Sequence, residues 1–170
     1  EALYGALQVM AGSQGTMNNF VYGNDRLQNY ETICGGTGAG SDFDGASAVH
    51  SHMTNTRMTD PEVLERRFPV RVEQFSIRRG SGGAGQHRGG DGIVRRLRFL
   101  DDVTVTVLTS NRIRQPHGAQ GGAPGQSGLN TVLREDGTRE RLAGNDRAEL
   151  KSGDAFIMET PGGGGYGEAH

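Results

Sequence analysis

The chain has 170 residues, enough for one domain burying roughly two-thirds of its unfolded surface; only 33% are apolar, none is Trp and 29 are Gly, so the core must be thin and turn-rich. With 18 basic and 20 acidic residues the formal charge is −2, too weak a field to favour nucleic acid or an anionic membrane, and no apolar run approaches the ~18 residues of a bilayer span. The single cysteine, Cys34, excludes an internal disulfide, and with no secretory signal pattern the expected location is the cytoplasm.

Residues 1–10 place Leu3, Leu7 and Met10 at helical spacing, with Gly12 as a stop. This predicts a short helix cut off at its front, in a native protein that extends upstream. Residues 13–19 form a polar connector, and residues 20–22 and 29–33 read as strands joined through Gly23-Asn24-Asp25. Residues 35–45, GGTGAGSDFDG, are too glycine-rich for an ordinary strand. They read either as a flexible loop or as a place where backbone N–H groups converge on an anion or a carbonyl oxygen.

Thr59-Asp60-Pro61-Glu62 matches a capping box with Thr59 as the cap, opening a helix of about two turns that ends before Phe68-Pro69 and buries Val63 and Leu64. Residues 70–78, VRVEQFSIR, predict a strand with Val70, Val72, Phe75 and Ile77 inward and a bulge near Gln74. A second glycine loop covers residues 80–92, and the runs on either side of Asp101-Asp102 predict a hairpin. A third loop covers residues 111–128; a strand over 129–133 turns at Asp136-Gly137, and AFIMET after Gly153-Asp154 is a last strand ending in PGGGGYG. The expected fold class is mainly β with minor α+β character: antiparallel sheets, long Gly-rich loops and two short helices. Along the chain this gives a truncated helix (1–12), a polar segment with the capped helix (13–69) and a β-rich part (70–170).

Chemistry concentrates in residues 45–65, GASAVHSHMTNTRMTDPEVLE. On a strand, His50 and His52 would share a face, as paired metal ligands do, which makes them weak metal candidates. No further ligands of a complete site stand near them, and His87 and His117 lie in separate loops. A substrate-facing hydrogen-bonding role and a structural one remain open. A nucleotide P-loop is excluded because GSGGAGQHRGG lacks Gly-Lys-Ser/Thr, and Lys151 sits in ELKSGD. Neither Ser47 nor Ser127 has the second glycine of G-x-S-x-G. Cys34 reads as a structural thiol.

Five strings in order carry a resemblance: SQGTMNN (13–19), YETICGGTGAG (30–40), DGASAVHSHMTNTRMTDPEVLERRFP (44–69), GSGGAGQHRGGDG (80–92) and ETPGGGGYG (159–167). Together they resemble the C-terminal part of the hydantoinase B/oxoprolinase family, either a B-type subunit or the B-type region of 5-oxoprolinase. Only residues 131–151 are generic.

The resemblance implies ATP-dependent opening of a small cyclic amide such as 5-oxoproline or a hydantoin. The implied partner is a hydantoinase A-type subunit or domain, in a hetero-oligomer or multidomain chain. ATP and Mg would be bound by that partner, with no cofactor expected within these residues. It also implies that His50, His52, Asn55, Thr56 and Arg57 line or support the substrate cleft, Arg57 holding a carboxylate bidentately. Catalytic residues and metal ligands would lie upstream, leaving the fragment inactive alone. The alternatives are a fragment of a related ATP-dependent ketone carboxylase subunit, or a non-catalytic assembly module whose glycine loops bind the A-type partner.

Overall fold

In the computed structural model, which describes every residue except Thr16, Met53, Asn55 and His170, the alternation of apolar side chains builds two antiparallel sheets. Helix α1 (Ala2–Leu7) opens the chain, and β1 (Asn18–Gly23) and β2 (Gln28–Thr32) follow as a hairpin. The Asn24 N–H donates to Leu27 O at 2.9 Å across its turn. Helix α2 (Pro61–Arg67) leads into β3 (Val70–Arg78), β4 (Gly92–Phe99) and β5 (Val103–Thr109). The chain ends with β6 (Leu129–Leu133), β7 (Arg139–Leu142), β8 (Asn145–Leu150) and β9 (Ala155–Glu159). One sheet has the order β2-β1-β5-β8 and the other β3-β4-β9-β6-β7.

The inner faces of the two sheets make the core. Phe20, Tyr22, Val103, Val105 and Val107 come from the first sheet, and Leu97, Phe99, Val132, Phe156 and Met158 from the second. Phe20 stacks on Phe156 with ring centroids 4.8 Å apart, and Tyr22 meets Phe99 edge-on at 5.2 Å. The architecture is therefore a β-sandwich closed by aromatic contacts between its layers.

Several local expectations hold. The bulge falls between Val72 and Gln74, the β6–β7 turn uses Gly137 at φ 89°, and Leu64 of α2 is fully buried. Others change. The cap of α2 is Asp60, whose Oδ1 accepts from Glu62 N at 2.9 Å and Val63 N at 3.4 Å; the Thr59 N–H instead donates to Glu31 Oε1 at 2.9 Å. Val63 is 38% exposed.

The runs flanking Asp101-Asp102 are not a hairpin, because β4 pairs with β3 and β9 while β5 pairs with β1 and β8. A two-residue hairpin wants glycine or asparagine at positive φ. Here the two aspartates accept instead from Arg26 Nη2 at 2.6 Å, Lys151 Nζ at 2.8 Å and Ser152 N at 2.9 Å, carrying the chain from one layer to the other. Phe75 and Ile77, expected inward, are exposed: β3 is the edge strand of the wider sheet, and past the bulge its apolar side chains sit at that edge.

The glycine-rich segments are tied together by main-chain hydrogen bonds. Residues 160–167 run through the middle of the other irregular segments and bond to four of them. Gly163 N donates to Gly90 O and Gly163 O accepts from Gly83 N, both at 2.8 Å. Gly164 N donates to Gly12 O at 2.7 Å and its O accepts from Ala39 N at 3.0 Å. Gly165 bonds through its N to Ala123 O and through its O to Ala119 N, both at 2.9 Å. These are extended backbones packed flank to flank. A Cβ on Gly36, Gly83, Gly89 or Gly163 would intrude on a neighbouring main chain, so glycine is demanded by space, as at the axis of a collagen triple helix.

Candidate functional site

This glycine layer grips the polar segment at its start. Gly45 N donates to Arg88 O at 2.7 Å, Ala46 N to Thr37 Oγ1 at 2.7 Å, and Ser47 Oγ accepts from Asp91 N at 2.8 Å. Val49 and Gly35 exchange both backbone bonds. At the far end, Cys34 Sγ lies 3.6 Å from Met58 Sδ, and Glu31 holds the Thr59 N–H. Glu31 is itself held by Arg95, whose Nη2 donates to Glu31 Oε2 at 3.0 Å; both residues are buried, and the Arg95 guanidinium lies over the Phe75 ring at 5.2 Å. Residues 50–57 thus span two anchored ends.

Within that span His52 adopts φ 55°, and neither it nor His50 belongs to a strand. The shared-face geometry expected for the two histidines is absent. His52 Nε2 lies 3.1 Å from Glu1 Oε1, and its ring stands 6.0 Å from that of Tyr4. Glu1 Oε1 also accepts from Ser13 N at 2.9 Å, so the carboxylate ties α1, the connector and His52 together. These groups wall an open cleft of ≈ 740 Å³ lined by Glu1, Leu3, Tyr4, Gly15, His52, Ser110 and Asn111. Asn111 is held there by its Nδ2 bond to Gln14 O at 2.9 Å.

Of the expected residues, His52 lines this cleft. The two ring nitrogens of His50 and the Ser51 hydroxyl are buried and have no partner among the described residues, and burial pushes the His50 pKa below the usual imidazole value. Thr56 and Arg57 are exposed, and Arg57 has no ion-pair partner among the described residues. Asn55 lies outside the described residues. Glu1, Tyr4 and Asn111 escaped the sequence reading; the usable signal was the i, i+3 spacing of Glu1 and Tyr4 on one side of a helix. No group of three or more His, Cys, Asp or Glu converges among the described residues.

The fold and cleft define a class: a glycine-braced β-sandwich presenting a histidine–carboxylate pair beside an open polar cleft. The model of the hydantoinase B/oxoprolinase family matches residues 1–169, and the chain belongs to that family. It is 46% identical over 168 residues to a 5-oxoprolinase of Dictyostelium discoideum, covering 99% of this chain and 13% of that protein. The crystal structure of an ATP-dependent caprolactamase from Pseudomonas jessenii superposes with a TM-score of 0.83 at 27% identity, covering 98% of this chain and 32% of that one. A nucleotide-free acetone carboxylase shares the fold at a TM-score of 0.77 and 21% identity, over 93% of this chain and 26% of that one. The chain thus spans a minor part of the length of each of these three proteins. No helix among the described residues is long and apolar enough to cross a membrane.

Proposed function

We propose that this chain forms part of an ATP-dependent cyclic-amide hydrolase of the 5-oxoprolinase or hydantoinase type, acting in the cytoplasm with a hydantoinase A-type subunit or domain. The observation that carries this reading is the 46% identity to a 5-oxoprolinase across 99% of the chain. A ring amide is a poor electrophile; transfer of the γ-phosphoryl group of ATP to its oxygen, with release of ADP, makes the carbonyl carbon reactive, water adds there, the ring C–N bond breaks with the amine as leaving group, and a second water hydrolyses the acyl phosphate to carboxylate and phosphate. ATP and Mg are assigned to the A-type partner.

For this chain we assign the cleft and its flank. His52, oriented by Glu1 at 3.1 Å, faces substrate or water. Arg57, without an ion-pair partner among the described residues, holds a substrate carboxylate through its planar fork. His50, Asn55 and Thr56 support the same segment.

The test is His52→Ala and Arg57→Ala in the whole enzyme, with turnover of 5-oxoproline and a hydantoin measured beside sedimentation of the complex. Turnover is expected to fall about 100-fold or more for His52→Ala, in the range of a lost acid–base or positioning group, with assembly intact. Full turnover in both variants refutes the assignment of the cleft. Loss of assembly instead points to a docking role.

A further inference from the structure

Opposite chemistry to that of the histidine enters the cleft from the loop after β5. Asn111 stands at φ 54°, a left-handed backbone that asparagine tolerates better than most residues. Its side-chain amide lies against the connector: Nδ2 donates to Gln14 O at 2.9 Å and reaches Ser13 O at 3.5 Å. Both neighbours are carbonyl oxygens, so the amide has one orientation, with its NH2 on the connector. Oδ1 is left over. It has no partner among the described residues and, unlike the unpaired atoms of His50 and Ser51, is not sealed from solvent.

Gly15 shows on which side this amide lies. It lines the cleft at φ 90°, and a Cβ there would fall 3.2 Å from Asn111 Nδ2 and 2.9 Å from Ser110 Cβ. The amide therefore borders the cleft rather than the arginines that follow it in the loop. Leu3 and Tyr4 supply an apolar side to the same space.

A carbonyl-type oxygen accepts hydrogen bonds and cannot donate, so it repels a carboxylate or a phosphate and calls for a donor. A small cyclic amide with an ionised carboxylate has one such group, the ring N–H. A ketone has none.

We propose, resting on the assignment of this cleft to substrate, that Asn111 is a specificity-determining residue. Its Oδ1 accepts the ring N–H of a cyclic amide whose methylenes lie against Leu3 and Tyr4. The contact selects a ring with an unsubstituted nitrogen over its N-alkyl counterpart, which would leave the fixed acceptor unpaired.

Steady-state kinetics of the whole enzyme with 5-oxoproline and with N-methyl-5-oxoproline, for the unaltered protein and for Asn111→Gly, test the role. Glycine accepts the left-handed backbone and removes the amide. The unaltered enzyme is expected to prefer 5-oxoproline by about tenfold or more in kcat/KM. Asn111→Gly is expected to lose about tenfold on 5-oxoproline, chiefly through KM, and to change little on the N-methyl compound. Structural damage would lower both substrates together, so the ratio between them isolates recognition. An equal change on both substrates overturns the role of Asn111. So does an unaltered enzyme that does not discriminate between them, a result that needs no variant to fold. His52→Ala, measured in parallel, keeps this role apart from the assignment of the cleft. If His52→Ala loses turnover while Asn111→Gly keeps the preference, the role of Asn111 alone fails; full turnover in His52→Ala removes the cleft itself.

Discussion

Replacing Gly163 by alanine should cost far more stability than replacing Gly80, although only Gly80 has a backbone angle that disfavours side chains. Gly80 sits at φ 82°, with nothing within 4 Å of an added Cβ; its substitution costs the left-handed penalty of about 1–2 kcal/mol. Gly163 has no such angle, but its Cβ would fall 2.6 Å from Gly38 N and closer still to the Thr37 carbonyl. The segment must shift, which strains its packing by about 1–3 kcal/mol. That shift also stretches the bonds to Gly90 and Gly83, both 2.8 Å, each worth about 1 kcal/mol net. The sum is about 3–5 kcal/mol, and at about 2–4 °C per kcal/mol for a chain of this size the melting temperature should drop by about 6–20 °C. Circular-dichroism melts and urea unfolding of both variants decide it. A Gly163→Ala loss no larger than that of Gly80→Ala would refute the flank-to-flank packing of the glycine segments.

The remaining expectations concern single groups. Glu31→Ala strands the buried Arg95 charge and frees the Thr59 N–H, so it should cost about 3–5 kcal/mol in urea unfolding, whereas Glu31→Leu combined with Arg95→Met should recover most of that loss. Asp60→Ala should cost about 1 kcal/mol and Thr59→Ala distinctly less, because Asp60 is the side chain that caps α2; equal losses would return the cap to Thr59. Burial alone would raise the Asp154 pKa, but bonds from Lys151 N, Arg134 and Glu135 N hold it below the usual aspartate value. With the folded value depressed, its stabilisation is full above the unfolded pKa of about 3.9 and disappears as pH falls through the folded value. Asp154→Asn should therefore flatten the acid limb of melting temperature against pH, and an unchanged limb would exclude the carboxylate as its source.

Strands with clean alternation were legible because period-two patterning reports burial directly. Val103, Val105 and Val107 face the core as their spacing requires, and the bulge near Gln74 was visible as a change of face. Sheet membership was not legible. The sequence around Asp101-Asp102 looks like a hairpin locally, and only the distant partners Arg26 and Lys151 show that the chain crosses between layers. The glycine segments hid their order for a related reason. Composition shows a lack of side chains but not what fills the space they leave, and here other backbones fill it.

The same asymmetry explains the cleft. Residues 45–49 and 58–59 are spent on anchoring, through Arg88, Asp91, Gly35 and Glu31, which leaves 50–57 as the stretch between two fixed ends. Sequence density therefore located the segment, while the groups that complete its site came from elsewhere: Glu1 and Tyr4 from α1, and Asn111 from the loop after β5. His52 reaches Glu1 by adopting φ 55°, a backbone state uncommon for a residue other than glycine. A conformation of that kind persists where surrounding contacts hold it, and the Glu1 carboxylate, itself fixed by the Ser13 N–H, is one of them. Removing Glu1 should thus release His52 from the cleft wall while leaving the sandwich core, which neither residue enters, intact.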